Sequence, residues 1–138
     1  MTQASCSTTI HASADTLWKV ISDFGAADQY LNGVVTCTVE GEGVGALRTL
    51  TSTDGSAIIE RLEALDEVAH RLSYLLLTDT PFRNCLTTMT IYDLAPNQVE
   101  LEWSATFEPD GIPASEAEQM LEAALSANCM ALKQFTER

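Results

Sequence analysis

Residues 46–64 read ALRTLTSTDGSAIIERLEA, in which two runs of β-compatible residues flank a turn. The turn is Thr53-Asp54-Gly55, a strong hairpin signal, because aspartate and glycine adopt the backbone angles that tight turns between antiparallel strands require. The pattern predicts two paired strands, Ala46–Thr51 and Ser56–Ala64. The register of this hairpin then decides which side chains share a face.

Charge decides between two possible registers. A two-residue loop would place Arg48 opposite Arg61, and like charges that face each other are unfavourable. A three-residue loop, with Gly55 in the left-handed conformation, places Arg48 opposite Glu60 instead. We therefore expect one face of the hairpin, the one that points to the interior, to carry Arg48, Leu50, Ile58, Glu60 and Leu62.

Two charged side chains on an interior face need partners. A buried charge must be paired or hydrogen-bonded, so we expect Arg48 and Glu60 to form an ion pair. Two interpretations of this pair stay open. It is either a structural ion pair near the rim of the sheet, or a polar feature in an apolar cup that recognises a polar group on an otherwise apolar ligand.

The remaining strand signals extend this hairpin into a larger antiparallel sheet. The further predicted strands are Ser5–Ile10, Val34–Glu40, Arg71–Leu77, Cys85–Leu94 and Gln98–Phe107. The last one alternates apolar and polar residues, which is typical of a half-buried antiparallel strand. Its apolar positions are Val99, Leu101, Trp103, Ala105 and Phe107.

Helical patterns precede and follow the run of strands. Ser13 is predicted to cap a short amphipathic helix that ends near Gly25, and Ala26–Leu31 is predicted to form a second short helix. Ser115-x-x-Glu118 resembles a capping box and predicts the start of the longest helix. The apolar stripe of that helix is Ala117, Leu121, Ala124, Leu125, Leu132 and Phe135. One long helix against one curved sheet is an α+β architecture.

Length and charge limit the possible functions. The chain has 138 residues, enough for a single domain over 1–138. Its formal charge of −13 argues against nucleic-acid binding, because affinity for phosphate comes mainly from clustered Lys and Arg. No apolar run is long enough to span a membrane, and no signal peptide is recognisable, so we expect a cytoplasmic protein.

The sequence offers little for a metal site. The four cysteines, Cys6, Cys37, Cys85 and Cys129, form no CxxC motif, and His11 and His70 lie in segments that look exposed. We predict no metal and no cofactor, reduced thiols, and core positions for Cys85 and Cys129.

Several motifs spread over about residues 4–137 are shared with a known family. They are Trp18-x-x-x-x-Asp23-Phe24, Gly43-Val44-Gly45-Ala46-Leu47-Arg48, Glu60-Arg61-Leu62-Glu63-x-Leu65-Asp66-Glu67, Ser73-Tyr74 and Glu102-Trp103-Ser104-Ala105-Thr106-Phe107. With them, the chain resembles the START/Bet v 1-like superfamily, also called SRPBCC, and looks most similar to its polyketide cyclase/dehydrase-like branch. The resemblance implies a helix-grip fold: a curved seven-stranded antiparallel sheet around the C-terminal helix, with two short helices between the first two strands.

The resemblance also implies an apolar cavity between the sheet and the last helix. Members of the superfamily bind lipids, hormones and polyketides there, and some catalyse cyclisation or dehydration. The cavity positions of the family and the alternation of side chains along the strands together suggest these ligand-contacting residues: Tyr30, Arg48, Leu50, Ile58, Glu60, Tyr74, Leu76, Thr87, Trp103, Ala105, Phe107, Leu121 and Leu125. The hydroxyl of Tyr74 is expected to bond either a ligand carbonyl or Glu60.

Three hypotheses on function follow. The first is a carrier or sensor for a small hydrophobic, partly oxygenated molecule such as a lipid, polyketide or isoprenoid, and a cavity below about 300 Å³ would count against it. The alternative is a polyketide cyclase/dehydratase-type enzyme, with Glu60 as general base and Arg48 or Tyr74 stabilising an enolate oxygen. The third is a protein–protein module. The chain is expected to be a monomer or a homodimer.

Overall fold

The predicted strands form one antiparallel sheet in the computed structural model, which describes residues 2–138. Its seven strands within that range are β1 Thr2–Ile10, β2 Val34–Glu40, β3 Leu47–Ser52, β4 Ala57–Asp66, β5 Arg71–Leu76, β6 Phe82–Ala95 and β7 Gln98–Pro109. They lie in the order β1-β7-β6-β5-β4-β3-β2, so consecutive strands from β2 to β7 are neighbours and β1 pairs with β7. The strand predictions are confirmed, with small shifts at the ends.

The β3–β4 hairpin has the predicted three-residue turn, in which Arg48 does not face Arg61. Arg48 pairs with Glu60 and Leu50 with Ile58 across the two strands. The turn is closed by the Gly55 amide, which donates to the Ser52 carbonyl at 3.0 Å, and Gly55 has a positive φ of 87°. The expected interior face is confirmed, because Arg48, Leu50, Glu60 and Leu62 are buried and Ile58 is half-buried.

Two short helices connect β1 to β2. Helix α1, Ala14–Ser22, begins as predicted, with the Ser13 hydroxyl accepting a hydrogen bond from the Thr16 amide at 3.1 Å. The second is a 3-10 helix, Phe24–Gln29, which begins two residues before the predicted segment. Phe24 therefore belongs to this 3-10 helix rather than to the end of α1, and Gly25 lies inside it.

The long helix α2, Ala114–Glu137, begins earlier than its capping-box pattern indicated. The predicted cap at Ser115 is wrong: Pro113 occupies the cap position with φ −60° and ψ 147°, and no side chain caps this end. Proline fits this position because its fixed φ is compatible with the extended conformation of a cap residue, and it has no amide hydrogen to leave unpaired at the helix start. The Ala117 amide donates to the Pro113 carbonyl at 3.0 Å.

The core lies between α2 and the interior face of the sheet. Its largest fully buried side chains include Trp103, Phe107 and Leu132, and the two cysteines predicted as core residues, Cys85 and Cys129, are also buried. Burial and the neighbouring Cys6 raise the pKa of the Cys129 thiol to about 12. Cys129 is therefore a packed side chain and not a reactive thiol.

His70 departs from the expectation of an exposed segment. Its ring lies 5.3 Å from the Trp18 ring, measured between centroids, and the residue is half-buried. The backbone bend at His70, with φ 53°, turns the side chain toward α1. As for membrane spans, no helix within residues 2–138 has the length and apolar character to cross a bilayer.

The turn conformation of Gly55 gives a stability prediction. Gly55→Ala should lower the free energy of unfolding by about 1–2 kcal/mol, because a Cβ is disfavoured at positive φ. Gly55→Asn should lose less, since asparagine tolerates this conformation. Urea denaturation of both variants measures the difference, and wild-type stability for the alanine variant would contradict it.

Candidate ligand cavity

Two aromatic rings lie against the Arg48 guanidinium. Its Cζ atom is 4.2 Å from the centroid of the Phe24 ring and 4.8 Å from that of Tyr74. Strand β3 supplies the arginine, the 3-10 helix supplies Phe24 and β5 supplies Tyr74. The two ring centroids are 6.3 Å apart, so the rings contact the guanidinium from adjacent sides, and a partly desolvated cation in such contacts gains cation–π attraction.

The edge of the same guanidinium is occupied by hydrogen-bond acceptors. Arg48 Nε donates to Glu60 Oε1 at 2.8 Å, and Nη2 lies 2.8 Å from the same oxygen. Arg48 Nη1 donates to the Phe24 carbonyl at 3.3 Å. The predicted ion pair is confirmed, and each of the three guanidinium nitrogens has a partner.

The second oxygen of the Glu60 carboxylate is in a different situation. Within residues 2–138, Oε2 of Glu60 accepts no hydrogen bond. In the same part of the chain, every fully buried side-chain nitrogen or oxygen has a partner. Oε2 is therefore accessible, and since Glu60 lines a cavity, this oxygen is an acceptor available to a ligand or to water.

Burial and the charge of the partner residue shift the pKa values of Arg48 and Glu60 in opposite directions. Burial raises the pKa of Glu60, and the Arg48 cation opposes that shift without cancelling it. For Arg48, burial lowers the pKa, but Glu60 and the Tyr74 and Tyr30 side chains outweigh it, so the net shift is upward. The arginine is thus a permanent cation, beside a carboxyl group that takes up a proton more readily than an exposed glutamate.

Tyr74 is held by Trp103 rather than by Glu60. Trp103 Nε1 donates to the Tyr74 hydroxyl oxygen at 3.0 Å. Burial raises the pKa of Tyr74, so the phenol keeps its proton. Because the indole only donates, the hydroxyl hydrogen of Tyr74 is not used in this bond, and no other residue within 2–138 accepts it.

Two adjoining cavities meet at this cluster. We call the first, about 160 Å³, the ion-pair lobe; it is lined by Leu31, Asn32, Val34, Arg48, Leu50, Ile58, Glu60, Tyr74, Trp103 and Asn128. We call the second, about 230 Å³, the apolar lobe; it is lined by Ile58, Glu60, Tyr74, Leu76, Thr80, Phe82, Cys85, Thr87, Leu121, Ala124, Leu125 and Asn128. The lobes share four residues, so Glu60 and Tyr74 stand at their junction.

Most of the candidate residues from the sequence line one of the two lobes. Those in the ion-pair lobe, apart from the shared residues, are Arg48, Leu50 and Trp103. Those in the apolar lobe are Leu76, Thr87, Leu121 and Leu125. Ile58, Glu60 and Tyr74 line both. The structure therefore brings ten of the thirteen candidates together around one two-lobed space.

Three candidates lie outside both lobes. The Tyr30 ring is buried and faces Phe135, with ring centroids 6.1 Å apart. Phe107 is fully buried and packs edge-on against Phe82 at 5.3 Å, so the Phe82 ring stands in the lining. Ala105 is buried with a side chain too short to reach past its neighbours. Alternation along β7 places Ala105 and Phe107 on the interior face, and Tyr30 is predicted to contact a ligand, but packing covers all three.

Several lining residues were missed in the sequence analysis. Asn128 is the most informative, because it follows Leu121 and Leu125 at helical spacing and so belongs to the same face of α2. That spacing was a signal that could have identified it. Thr80 comes from the β5–β6 connection and Phe82 is the first residue of β6, and only the tertiary structure brings these residues over the apolar lobe.

A larger groove of about 330 Å³ lies elsewhere on the molecule. The residues that line it include Phe24, Gly25, Val39 and Leu62, but not Arg48, Glu60 or Tyr74. It therefore lacks the polar cluster that distinguishes the two-lobed cavity. No group of three or more His, Cys, Asp or Glu side chains within residues 2–138 is placed to hold a metal ion.

The architecture and the family comparison agree. An antiparallel seven-stranded sheet curved around a long C-terminal helix, with a cavity between them, defines the helix-grip proteins of the START/Bet v 1 type. The family model described as polyketide cyclase / dehydrase and lipid transport matches residues 1–135. The chain belongs to this family, within the SRPBCC superfamily.

Solved structures show the same fold. The protein XoxI from Bacillus cereus has a TM-score of 0.89 at 27% identity, over 97% of this chain and 94% of that one. A START superfamily protein from Mycobacterium smegmatis has a TM-score of 0.84 at 19% identity, over 98% and 97%. The Zhui aromatase/cyclase from Streptomyces sp. R1128 has a TM-score of 0.77 at 19% identity, over 97% and 90%.

The buried ion pair gives a stability prediction. Arg48→Met should lower the free energy of unfolding by about 3–5 kcal/mol, because it leaves Glu60 buried without its counter-ion. Combining it with Glu60→Leu should restore part of that loss, since the second change removes the unpaired charge. Urea denaturation of the single and double variants measures this coupling.

An exposed pair on the same hairpin provides the control. Arg61 and Glu63 are 3.0 Å apart with side chains 40% and 32% exposed. Arg61→Met should therefore change stability little, because exposed ion pairs contribute little. A loss in Arg61→Met as large as in Arg48→Met would contradict the assignment of the effect to burial.

Proposed function

We propose that the protein binds a small hydrophobic, partly oxygenated molecule in the two-lobed cavity, as a carrier or a sensor. The observation that carries this proposal is the junction of the lobes. There, the free oxygen of Glu60 and the Tyr74 hydroxyl border a space whose other walls are mainly apolar. A few polar groups in an otherwise apolar cavity are the usual composition of a small-molecule site.

The shape of the space suggests how such a molecule would lie. Leu76, Leu121 and Leu125 would contact its apolar part in the apolar lobe. Its oxygen would lie near Glu60 and Tyr74. Each lobe alone is smaller than the roughly 300 Å³ of a typical ligand site, which counts against a ligand held in one lobe, so the proposal requires a ligand that extends across both.

The family assignment supports binding without choosing between binding and catalysis. The family description joins polyketide cyclases and dehydrases to lipid transport, so both kinds of function occur on this fold. Function depends on the site rather than on the fold. At this site, each of the three guanidinium nitrogens of Arg48 has a partner within the protein, which suits a preformed binding cavity.

Blocking the apolar lobe tests the proposal. We expect octan-1-ol and 2-naphthol to bind with a dissociation constant below about 1 mM in calorimetric titrations. Ala124→Phe should weaken binding about tenfold or more, because its ring would enter the lobe that Ala124 lines. Ala123→Phe is the matched control, since Ala123 is exposed on the same helix as Ala124 is, but lines neither lobe.

The two variants distinguish binding in the cavity from binding elsewhere. Binding that is lost in Ala124→Phe and kept in Ala123→Phe supports the cavity as the site. The proposal fails if neither probe binds, or if both variants bind as the wild type does.

A second candidate is an enzyme of the cyclase or dehydratase type. The observation that favours it is a carboxyl group with a raised pKa and one free oxygen, facing a cavity beside a phenol that keeps its proton. Glu60 would take a proton from a carbon next to a substrate carbonyl, and the Tyr74 hydroxyl would donate a hydrogen bond to the enolate oxygen that forms. Tyr74 suits this role better than Arg48, whose nitrogens are already bonded.

Glu60→Gln tests the enzymatic alternative. With a reactive poly-β-ketone as substrate, we expect the enzyme to accelerate cyclisation and the variant to lose about 100-fold or more of that rate, because the amide cannot accept the proton. Product formation is followed by liquid chromatography with mass spectrometry. Equal rates for Glu60→Gln and the wild type would exclude Glu60 as the base.

A further inference from the structure

We propose that the cavity selects ligands whose polar group is an uncharged hydroxyl, and that it rejects carboxylates of the same size. This inference rests on the ligand-binding function proposed above. It follows from which atoms of the polar cluster are already bonded and which are free.

The cation of the cavity is already paired within the protein. Arg48 Nε and Nη2 contact Glu60 Oε1, and Nη1 donates to the Phe24 carbonyl, so each of its three nitrogens has a partner. The rings of Phe24 and Tyr74 lie against the guanidinium, with their centroids 4.2 and 4.8 Å from Cζ. A carboxylate that took the place of Glu60 on the guanidinium would leave that glutamate buried without its partner.

The free atoms of the cluster complement one hydroxyl group. Glu60 Oε2 is an acceptor with no donor, and the Tyr74 hydroxyl hydrogen has no acceptor, among residues 2–138. Both residues line both lobes, so both border the junction. A ligand hydroxyl can donate to the first and accept from the second, whereas a carboxylate can only accept.

Charge in and around the cavity acts against an anion. Apart from Arg48, none of the residues described as lining the two lobes is Lys or Arg. A carboxylate at the junction would meet the free oxygen of Glu60 at short range, and like charges brought together at a binding site are strongly unfavourable. The formal charge of the chain, −13, adds to this repulsion.

Three ligands of similar size test the inference. Octan-1-ol, octanoate and methyl heptyl ether are titrated into the wild-type protein by calorimetry at neutral pH. The ether is an isomer of the alcohol that lacks the O–H group. We expect the alcohol to bind at least about 30-fold more tightly than octanoate. It should bind about tenfold more tightly than the ether, because the ether leaves Glu60 Oε2 without a donor.

Replacing Glu60 by glutamine should remove the preference for the alcohol over octanoate. In Glu60→Gln, the difference between octan-1-ol and octanoate should shrink to within about threefold, because the like charge is gone and the Arg48 cation is no longer neutralised. Glu63→Gln is the matched control, since Glu63 lines neither lobe. Circular dichroism shows whether each variant is folded, and the wild-type ranking decides the question if Glu60→Gln does not fold.

The results distinguish this inference from the function on which it rests. If none of the three ligands binds, the proposed binding function fails and the inference fails with it. If octanoate or the ether binds as tightly as the alcohol, the cavity binds ligands but the hydroxyl preference is wrong. A preference that persists unchanged in Glu60→Gln would also overturn the role given to Glu60.

Discussion

The ion pair between Arg48 and Glu60 is the constraint on which the interior of this protein depends. Removing two charges from water carries a large desolvation cost, which only close geometry and further hydrogen bonds can offset. Here the arginine contacts Glu60 Oε1 through two nitrogens and the Phe24 carbonyl through the third, and two aromatic rings lie against it. One side chain thereby connects β3 to β4, to β5 and to the 3-10 helix.

This arrangement also determines the chemical character of the cavity. The pair is neutral as a unit, each nitrogen of its cation has a partner within the protein, and one oxygen of its anion accepts no hydrogen bond within residues 2–138, where Glu60 lines both lobes. Trp103 holds Tyr74 at the same junction through its hydroxyl oxygen. The structural and the functional interpretations of the pair are therefore compatible, because the oxygen that supports the sheet and the oxygen that faces the cavity are different atoms.

Local patterns predicted the secondary structure well where one physical effect dominated. Repulsion between Arg48 and Arg61 selected the hairpin register that the structure shows. The cap at Ser13 was also recognised, because a hydroxyl there bonds the Thr16 amide. The predicted cap at Ser115 is wrong, because the helix already begins at Ala114 and Pro113 holds the cap position without a side-chain hydrogen bond.

The sequence by itself determined the order of the elements, the interior face of the hairpin and the pairing of its two charges, because these depend on alternation and on near neighbours. Only the tertiary structure decided that Tyr30, Ala105 and Phe107 are covered by packing while Thr80 and Phe82 reach the cavity. It also decided which oxygen of Glu60 is free. The alternation of side chains along a strand assigns each one to a face of the sheet, but the helix and loops that cross that face determine which atoms remain accessible.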